Sequence, residues 1–293
     1  MLFFVSLLVD GVLAGAVYAL IALAFVVVYK AARMINFALG EWVMFGARLA
    51  AAAHGSALGV SGALALAAAA MVAFAWVFNR LVLRWLVGQP LIGVIMVTLG
   101  LGALMRGSAP LLFAGLPSTL PLPIPSEPFV LYEVRIPAGR VVALVVAAVA
   151  IALVSAFFRW TRTGVALRAL ADDQQVALAV GIDVHRHLAI AWGMVGLLAV
   201  VGGTLWTLVT GVGFGLALLG LKVFPVVVIG GLDSVGGSIV GAVAIGVLES
   251  LTAGYVDPLV GAGFSSVAPY LLLLGVLFVR PYGIFGRPDA RRV

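Results

Sequence analysis

The stretch that decides the fold is RWTRTGVALRALADDQQVALAVGIDVHR, residues 159–186 of the chain. It lies between long apolar runs and carries seven charged side chains, which are Arg159, Arg162, Arg168, Asp172, Asp173, Asp183 and Arg186. A charged residue costs roughly 2.5–3.5 kcal/mol at the centre of a bilayer, so inserting the whole stretch would cost on the order of 20 kcal/mol. We therefore expect it to lie in water between two membrane spans.

The same stretch has the local signals of a folded helix. Thr161 or Thr163 is a suitable N-cap, Gly181 is a natural helix end, and Asp183 can cap the helix that follows. At helical spacing one face holds Leu167, Leu170, Ala171 and Leu178, and another holds Arg168, Asp172 and Gln175. The pattern predicts a short amphipathic helix whose apolar side is free to contact something.

The composition as a whole is that of a polytopic membrane protein. The mean hydropathy is +1.26, and 64% of the residues are apolar while 10% are charged. The 36 glycines agree with closely packed spanning helices, because small residues let helices approach one another. The net charge of +6 is explained by arginines in cytoplasmic loops and not by nucleic-acid binding. We predict an all-α transmembrane helix bundle.

The apolar runs predict about eight or nine membrane segments, some broken or re-entrant, in a single transmembrane domain over residues 1–293. The runs are 7–29, 44–53, 57–78, 91–105, 137–158, 188–212, 216–229, 238–251 and 267–279. The first run lacks the pattern of a signal peptide and is expected to stay as a span, with Gly11 and Gly15 packing closely against a neighbour. The proline-rich interval 107–137, which includes Pro110, is expected to be an extended external loop without helix.

The distribution of arginines predicts the orientation of the chain. Most of them lie in residues 80–84, 159–186 and 280–292, which belong on one side. Three fall on the other side: Arg106, Arg135 and Arg140. Because cytoplasmic loops are rich in Lys and Arg, we predict a cytoplasmic C-terminus, an external N-terminus and an external proline-rich loop.

Two polar residues, Asn36 and Glu41, lie close together in an apolar setting beside Gly40. One interpretation is a helix that starts near the membrane interface, with Asn36 as its cap and Glu41 in its first turns. The other is a broken helix whose freed backbone lines a solute path. Spacing alone leaves both interpretations open.

A second candidate for the solute path is the glycine-dense passage around residue 230. The apolar pieces 216–229 and 238–251 are short, and they flank Gly230, Gly231 and Asp233. A pair of interrupted helices around glycine and an acid is typical of a midplane site in a transporter. Lys222 precedes this passage and either lines the path or extends to the membrane interface.

The sequence lacks the patterns of covalent catalysis. Its two lysines, Lys30 and Lys222, do not complete a phosphate-binding GxxxxGK[ST] loop, so any ATP and magnesium are expected on another chain. The three histidines do not form a metal-ligand pattern, and no GxSxG motif is present. We predict a chain that is not an enzyme, with no catalytic residue, no metal site and no cofactor of its own.

Several motifs resemble those of the permease subunits of branched-chain amino acid ABC importers, and they follow one order over essentially the whole chain. They are Ile35-Asn36-Phe37-Ala38 with Gly40-Glu41, Thr161-Arg162-Thr163-Gly164 with Arg168 and Asp172-Asp173, Val180-Gly181-Ile182, Lys222 with Phe224, Gly230-Gly231 with Ser234 and Gly237, and Pro281 with Gly283-Ile284 and Gly286-Arg287-Pro288. The resemblance implies a multi-pass protein of the bacterial inner membrane that carries branched-chain or related amino acids. The wider family also includes importers of urea and short amides.

The resemblance also implies partners and contact residues. The partners are a second homologous permease chain, two cytoplasmic ATPase subunits, a periplasmic solute-binding protein and the lipid bilayer, with no nucleic acid. In that family a cytoplasmic helix seats in a groove on the ATPase, and here that helix is Gly164 to Gly181 within the coupling segment 159–186. Its implied contact residues are Leu167, Arg168, Leu170, Ala171, Asp172, Asp173 and Gly181. The expected path residues are Asn36, Glu41, Lys222, Gly230, Gly231 and Asp233.

An alternative function is an ion- or proton-coupled secondary transporter. Broken helices around Glu41 and Asp233 favour it in principle. It differs from the importer in needing no ATPase partner.

Overall fold

The computed structural model describes residues 1–54, 59–86, 89–125, 127–131, 134–210, 218–261 and 263–286. Helices dominate these residues. Six of the helices are long and apolar enough to cross a membrane, and two more, Leu219–Gly230 and Phe264–Val279, are apolar but shorter. The prediction of an all-α polytopic bundle is confirmed.

The helices and strands follow one another with short connections. They are α1 (Leu2–Ala32), α2 (Leu39–Ala53), α3 (Gly59–Phe78), a π-helical turn (Asn79–Leu83), α4 (Arg84–Leu86), α5 (Leu91–Leu112), β1 (Phe129–Leu131), β2 (Val134–Ile136), α6 (Ala138–Trp160), α7 (Arg162–Asp172), α8 (Gln174–Ala179), α9 (Val184–Thr210), α10 (Leu219–Gly230), α11 (Val235–Tyr255), α12 (Asp257–Val260) and α13 (Phe264–Val279).

Two predicted boundaries are wrong. The fourth span was expected to end at residue 105 with Pro110 in a loop, but α5 continues to Leu112 with Pro110 inside it. A proline this close to the end of a helix removes one hydrogen bond from its last turns, and the apolar residues around it still favour helix. The piece expected at 238–251 is also longer than predicted, because α11 covers 21 residues and is long enough to span.

The proline-rich interval contains a short hairpin that the sequence did not predict. β1 pairs with β2 in antiparallel register, with Phe129 opposite Ile136 and Leu131 opposite Val134. The rest of the described residues from Phe113 to Pro128 are turns and irregular structure. The expectation of a non-helical loop therefore holds beyond Leu112.

The chain divides into two compact units, and unit 1 comprises residues 1–26, 124–149 and 222–293. In this unit α1 and α11 pack with their backbones in contact. A Cβ atom at Gly11 would lie 2.6 Å from the Cα of Val247, and one at Gly15 would lie 2.9 Å from the carbonyl oxygen of Ala242. The close packing predicted for this pair of glycines is confirmed. Asp10 also forms an ion pair with Arg140 of α6.

Unit 2 comprises residues 27–123 and 150–221, and its core lies between α2, α3 and α9. Small residues bring these helices together: a Cβ at Gly46 would lie 2.7 Å from the backbone of Ala199. Large aromatic rings fill the remaining space. The ring of Trp42 lies 5.0 Å from that of Phe74 and 5.5 Å from that of Trp192, in tilted arrangements that aromatic pairs favour.

Candidate functional site

The first candidate site is the interruption between α1 and α2, residues 33–38. Arg33 follows α1 with a positive φ of 54°, a conformation that costs a non-glycine residue roughly 1–3 kcal/mol. Asn36 Oδ1 accepts a hydrogen bond from the backbone N–H of Ala38 at 3.0 Å. Asn36 is 1% exposed, and its Nδ2 has no hydrogen-bond partner among the described residues. The interruption therefore contains a buried donor that is free to bind another group.

The contacts of this interruption place it beside the middle of α5. The N–H of Phe37 donates to Thr98 Oγ1 at 3.4 Å. Thr98 is the eighth residue of α5, so it lies about 10 Å along that helix at 1.5 Å per residue. Asn36 does not cap α2, because Ala38 occupies the N-cap position and no side chain bonds there. This geometry favours the broken-helix interpretation, although Glu41 does lie in the first turn, as the helix-start interpretation also expects.

Glu41 is 2% exposed and forms an ion pair with Arg106 of α5. The Nε of Arg106 lies 3.2 Å from Glu41 Oε1, and a second guanidinium nitrogen bonds the same oxygen. Gly102 leaves the room for the carboxylate, since a Cβ at that position would lie 3.3 Å from Glu41 Oε2. Sequence reasoning missed Arg106 as a partner and assigned it only to an external loop.

A second group of polar side chains lies in unit 1 and centres on Glu249 of α11. Lys222 Nζ lies 3.5 Å from Glu249 Oε1, and the hydroxyl of Tyr18 donates to Glu249 Oε2. Lys222 is thus paired with an acid, whichever of its two predicted roles applies. Glu249 and Tyr18 were missed, although the sequence held one signal: Glu249 is the single charged residue of an otherwise apolar helix.

The predicted path residues Gly230, Gly231 and Asp233 form the turn between α10 and α11. Gly231 has a positive φ of 99°, and a Cβ there would lie 2.6 Å from the N of Gly286. The N–H of Ile284, which follows α13, donates to the carbonyl of Ile229 at 2.8 Å. Close packing of the segment after α13 therefore accounts for these glycines. Asp233 is half-buried, and the role of this turn in a solute path stays a prediction.

The path residues divide between the two units. Asn36 and Glu41 lie in unit 2, and the others lie in unit 1, namely Lys222, Gly230, Gly231 and Asp233. Within unit 2 the structure brings Asn36 and Glu41 together around the start of α2.

The coupling segment has the predicted caps. Thr161 Oγ1 accepts from the N–H of Gly164 at 2.9 Å and starts α7. Gly181, with a φ of 84°, ends α8, and the N–H of Ile182 returns to the carbonyl of Ala177 at 3.0 Å. Asp183 Oδ1 accepts from the N–H of Arg186 at 3.0 Å at the start of α9.

The segment is nevertheless two helices and not the single one predicted. Asp173 is extended, with φ −154° and ψ 111°, and separates α7 from α8. Its Oδ1 accepts from the N–H of Val176 at 3.0 Å, so Asp173 acts as a cap for α8. The break changes the direction of the chain, and Leu178 does not continue the buried face of α7 but is 54% exposed.

Burial divides the predicted coupling residues into two sets. Leu167 and Leu170 are fully buried and cannot present a surface to a partner, so the expectation of direct contact by these two needs correction. They anchor α7 on the rest of unit 2. Arg168, Asp172, Asp173 and Gly181 are exposed, and Ala171 is half-buried. Exposed apolar side chains accompany them: Val165, Val176, Leu178 and Val180.

A hydrogen bond joins the coupling segment to the first candidate site. Arg33 Nε donates to the carbonyl oxygen of Ala171 at 3.3 Å. Arg33 is the first residue of the interruption that contains Asn36 and leads directly into α2. A displacement of α7 therefore has a short physical route to the residues around Glu41.

Comparison with known proteins gives a match over most of the chain. A family model described as "Branched-chain amino acid transport system / permease component" matches residues 7–279. The chain is 28% identical over 310 residues to the high-affinity branched-chain amino acid transport system permease protein LivH of Escherichia coli (strain K12), covering 100% of this chain and 98% of LivH. It is 30% identical over 304 residues to the permease protein BraD of Pseudomonas aeruginosa, covering 98% and 97%.

A solved structure also resembles the chain, but weakly. PsaBC from Streptococcus pneumoniae in complex with Fab aligns with a TM-score of 0.45 and 18% identity, covering 94% of this chain and 92% of that one. A likeness at this level carries no argument about fold or function.

Proposed function

This chain belongs to the family of permease components of branched-chain amino acid transport systems, and from that premise we propose that it is the membrane-spanning subunit of an ATP-driven importer of branched-chain or related amino acids. Its partners are a second homologous permease chain, two cytoplasmic ATPase subunits that bind ATP and magnesium, and a periplasmic solute-binding protein. The chain lies in the bacterial inner membrane with its C-terminus in the cytoplasm and its N-terminus outside. On this proposal the energy comes from the ATPase subunits, and an ion- or proton-coupled secondary transporter is the less favoured alternative.

The observation that carries this proposal is the coupling segment, which is folded, charged and exposes Val165, Val176, Leu178 and Val180, and the hydrogen bond between Arg33 and the carbonyl of Ala171 connects it to the start of α2. ATP binding moves the ATPase subunits, and their groove displaces α7 and α8. Leu167 and Leu170 fix α7 to unit 2, so the displacement is passed on and not absorbed by a loose helix. Arg33 then transmits it to the interruption before α2 as a change between discrete arrangements.

The surface that meets the ATPase consists of the exposed side chains of the segment. Val176 and Leu178 of α8 are 59% and 54% exposed, and Arg168 and Asp172 of α7 provide charge beside them. Apolar contacts at the centre with polar contacts at the rim are typical of protein interfaces. Asp173 and Gly181 set the two ends of α8 and thereby fix the direction of this surface.

The solute passes the polar groups at the start of α2. A branched-chain amino acid carries an ammonium and a carboxylate as well as an apolar side chain. The buried Nδ2 of Asn36, and Glu41 with its partner Arg106, offer groups of matching chemistry within an apolar setting. Lys222 with Glu249 offers a second pair of the same kind in unit 1, while Gly230, Gly231 and Asp233 stay as predicted members of the path.

The test replaces the two large exposed apolar residues of α8 and measures how far solute stimulates ATP hydrolysis. In a complex reconstituted with its ATPase partners, Val176→Asp with Leu178→Asp is expected to abolish most of the solute-stimulated ATP hydrolysis, because two charges would be buried at the interface. Val176→Thr, which keeps the shape of the side chain, is the matched control and should retain stimulation. Unchanged stimulation in the double variant would remove α8 from the interface, and ATP hydrolysis by this chain alone would refute the proposal.

A further inference from the structure

A cavity of about 1160 Å³, open along much of its length, lies in unit 2 between the end of α3 and the start of α9. Its lining comes from Val72 to Trp85 on one side and from Asp183 to Leu197 on the other. None of the residues assigned above to the path or to the ATPase interface lines it. Its basic end nevertheless includes Asp183, His185 and Arg186 from the end of the coupling segment, so its assignment to the cytoplasmic side rests on the proposed function.

One end of the cavity is strongly basic. Arg80, Arg84 and Arg186 all line it and are all exposed. In the described part of the chain none of the three guanidinium groups has an acidic partner within ion-pair distance. Asp183 is the acid in the lining, and its Oδ1 is already engaged as a cap of α9. Three arginines against one aspartate leave the lining with an excess of positive charge.

The arginines are accompanied by exposed tryptophans. The Cζ of Arg80 lies 5.4 Å from the ring centre of Trp76, and that of Arg84 lies 4.8 Å from that of Trp85. The two tryptophans are 52% and 66% exposed. Tryptophan is enriched where helices pass the headgroup region of a bilayer, and stacking on its ring holds a guanidinium in place. This combination places the basic end of the cavity at the level of lipid headgroups.

The other end of the cavity is apolar. Val72 and Leu197 line it, and Gly193 keeps its floor open, since a Cβ there would meet only a methyl group of Val72 at 3.9 Å. From Arg186 to Leu197 the cavity follows α9 for about 16 Å at 1.5 Å per residue. That length is close to one leaflet of a hydrocarbon core of about 30 Å.

The backbone at the basic end of the cavity departs from regular α-helix. Residues Asn79–Leu83 form a π-helical turn, a feature that is rare and often marks functional sites. Asn79 is 7% exposed, and its Nδ2 donates to the carbonyl of His185 at 3.2 Å. This hydrogen bond connects the segment after α3 to the start of α9. It therefore keeps Arg80 and Arg84 close to Arg186, so that all three line the same cavity.

We propose that this cavity binds an anionic phospholipid, with its phosphate on Arg80, Arg84 and Arg186 and an acyl chain along Val72, Gly193 and Leu197. Basic pockets between helices on the cytoplasmic side are suited to acidic headgroups. A free phosphate would satisfy the arginines but would leave the apolar end empty. A zwitterionic lipid would fill the apolar end but would gain less from the excess positive charge of the three arginines over Asp183. An acidic lipid matches both ends.

The test measures lipid binding to the purified full-length chain by native mass spectrometry, with phosphatidylglycerol, phosphatidylcholine and inorganic phosphate as probes. We expect phosphatidylglycerol to bind more tightly than phosphatidylcholine, and Arg80→Gln/Arg84→Gln/Arg186→Gln to lose about tenfold or more of that affinity. The matched control, Arg159→Gln/Arg162→Gln/Arg168→Gln, changes the net charge equally and should keep the affinity.

A second pair of variants separates a lipid from a free anion. Gly193→Leu would fill the apolar end and should weaken phosphatidylglycerol binding by several-fold while leaving inorganic phosphate unaffected. Gly107→Leu, at a glycine with open space around it on α5, is its control. Equal binding of the two lipids, retained binding in the triple variant, or competition by phosphate with no effect of Gly193→Leu would each overturn the proposal. So would cross-linking of this cavity to a protein partner through a cysteine placed at Leu197.

Discussion

At the scale of the residue, Glu41 and Arg106 form the contact on which the first candidate site depends. Glu41 is buried at the start of α2, whereas the side chain of Arg106 is 56% exposed. An ion pair with one buried partner is strongly asymmetric, because removing the arginine leaves a charge without compensation inside the protein. Removing one partner is therefore expected to destabilise the protein by more than the intact pair stabilises it.

We expect Arg106→Gln to lower the free energy of unfolding by about 3 kcal/mol, and Arg106→Gln with Glu41→Gln to recover most of that loss. Thermal melting of the detergent-purified chain measures both. Arg140→Gln is the control, since its partner Asp10 has a side chain that is 42% exposed and such pairs contribute below about 1 kcal/mol. A double variant no more stable than Arg106→Gln alone would contradict this account.

The sequence predicted residues whose partners are close along the chain and missed those whose partners are distant. Thr161, Gly181 and Asp183 were identified as caps, because a cap depends on backbone groups within about five residues. The pairs Glu41 with Arg106 and Tyr18 with Glu249 are 65 and 231 positions apart. No local pattern specifies such a pairing, and it depends on how the helices pack.

At the scale of the element, the coupling segment shows that hydrophobic periodicity predicts a helix but not a break within it. The helical spacing between Gly164 and Gly181 correctly predicted helix, but the face of Leu167 and Leu170 was expected to meet a partner and is buried within unit 2. It did not predict the break, because an aspartate is acceptable inside a helix as well as at its start. In the structure Asp173 stands at the start of α8, where its Oδ1 accepts a hydrogen bond from the N–H of Val176. The large apolar side chains of α8 are exposed as a result.

The bond between Arg33 and Ala171 leads to a prediction about this element. Arg33→Gln should reduce solute uptake several-fold while ATP hydrolysis continues, because α7 would still bind the ATPase but would lose its contact with the interruption before α2. Uptake and hydrolysis measured in the same proteoliposomes give the ratio of solute moved to ATP consumed. Arg280→Gln, an exposed arginine that directly follows α13, should leave that ratio unchanged. A normal ratio in Arg33→Gln would mean that coupling takes another route.

At the scale of the whole molecule, hydropathy was sufficient for the fold class and insufficient for the ends of the segments. Nine apolar runs were expected, and each matches a helix in the described residues. The observed helices extend past the predicted ends where a proline or glycine is accommodated in the helix. Pro110 lies within α5, and Gly236 lies within α11. Part of the glycine-dense passage, residues 211–217, lies outside the described residues, as does the basic tail from residue 287.

The orientation of the chain is testable because it contains no cysteine. A cysteine at Ser118, in the proline-rich loop, should react with a membrane-impermeant maleimide in intact spheroplasts. A cysteine at Ala169, which is exposed on α7, should react only after the membrane is permeabilised. Labelling in the reverse pattern would invert the predicted topology and remove the coupling segment from the cytoplasm.

The contact between α1 and α11 has a consequence for how such chains can diverge. A methyl group added at Gly11 or Gly15 would collide with main-chain atoms, which cannot rotate away as a side chain can. A change of the transported solute does not relax this constraint, because the contact holds α1 against α11. Relatives that carry quite different solutes should therefore keep glycine at both places wherever they keep this pair of helices.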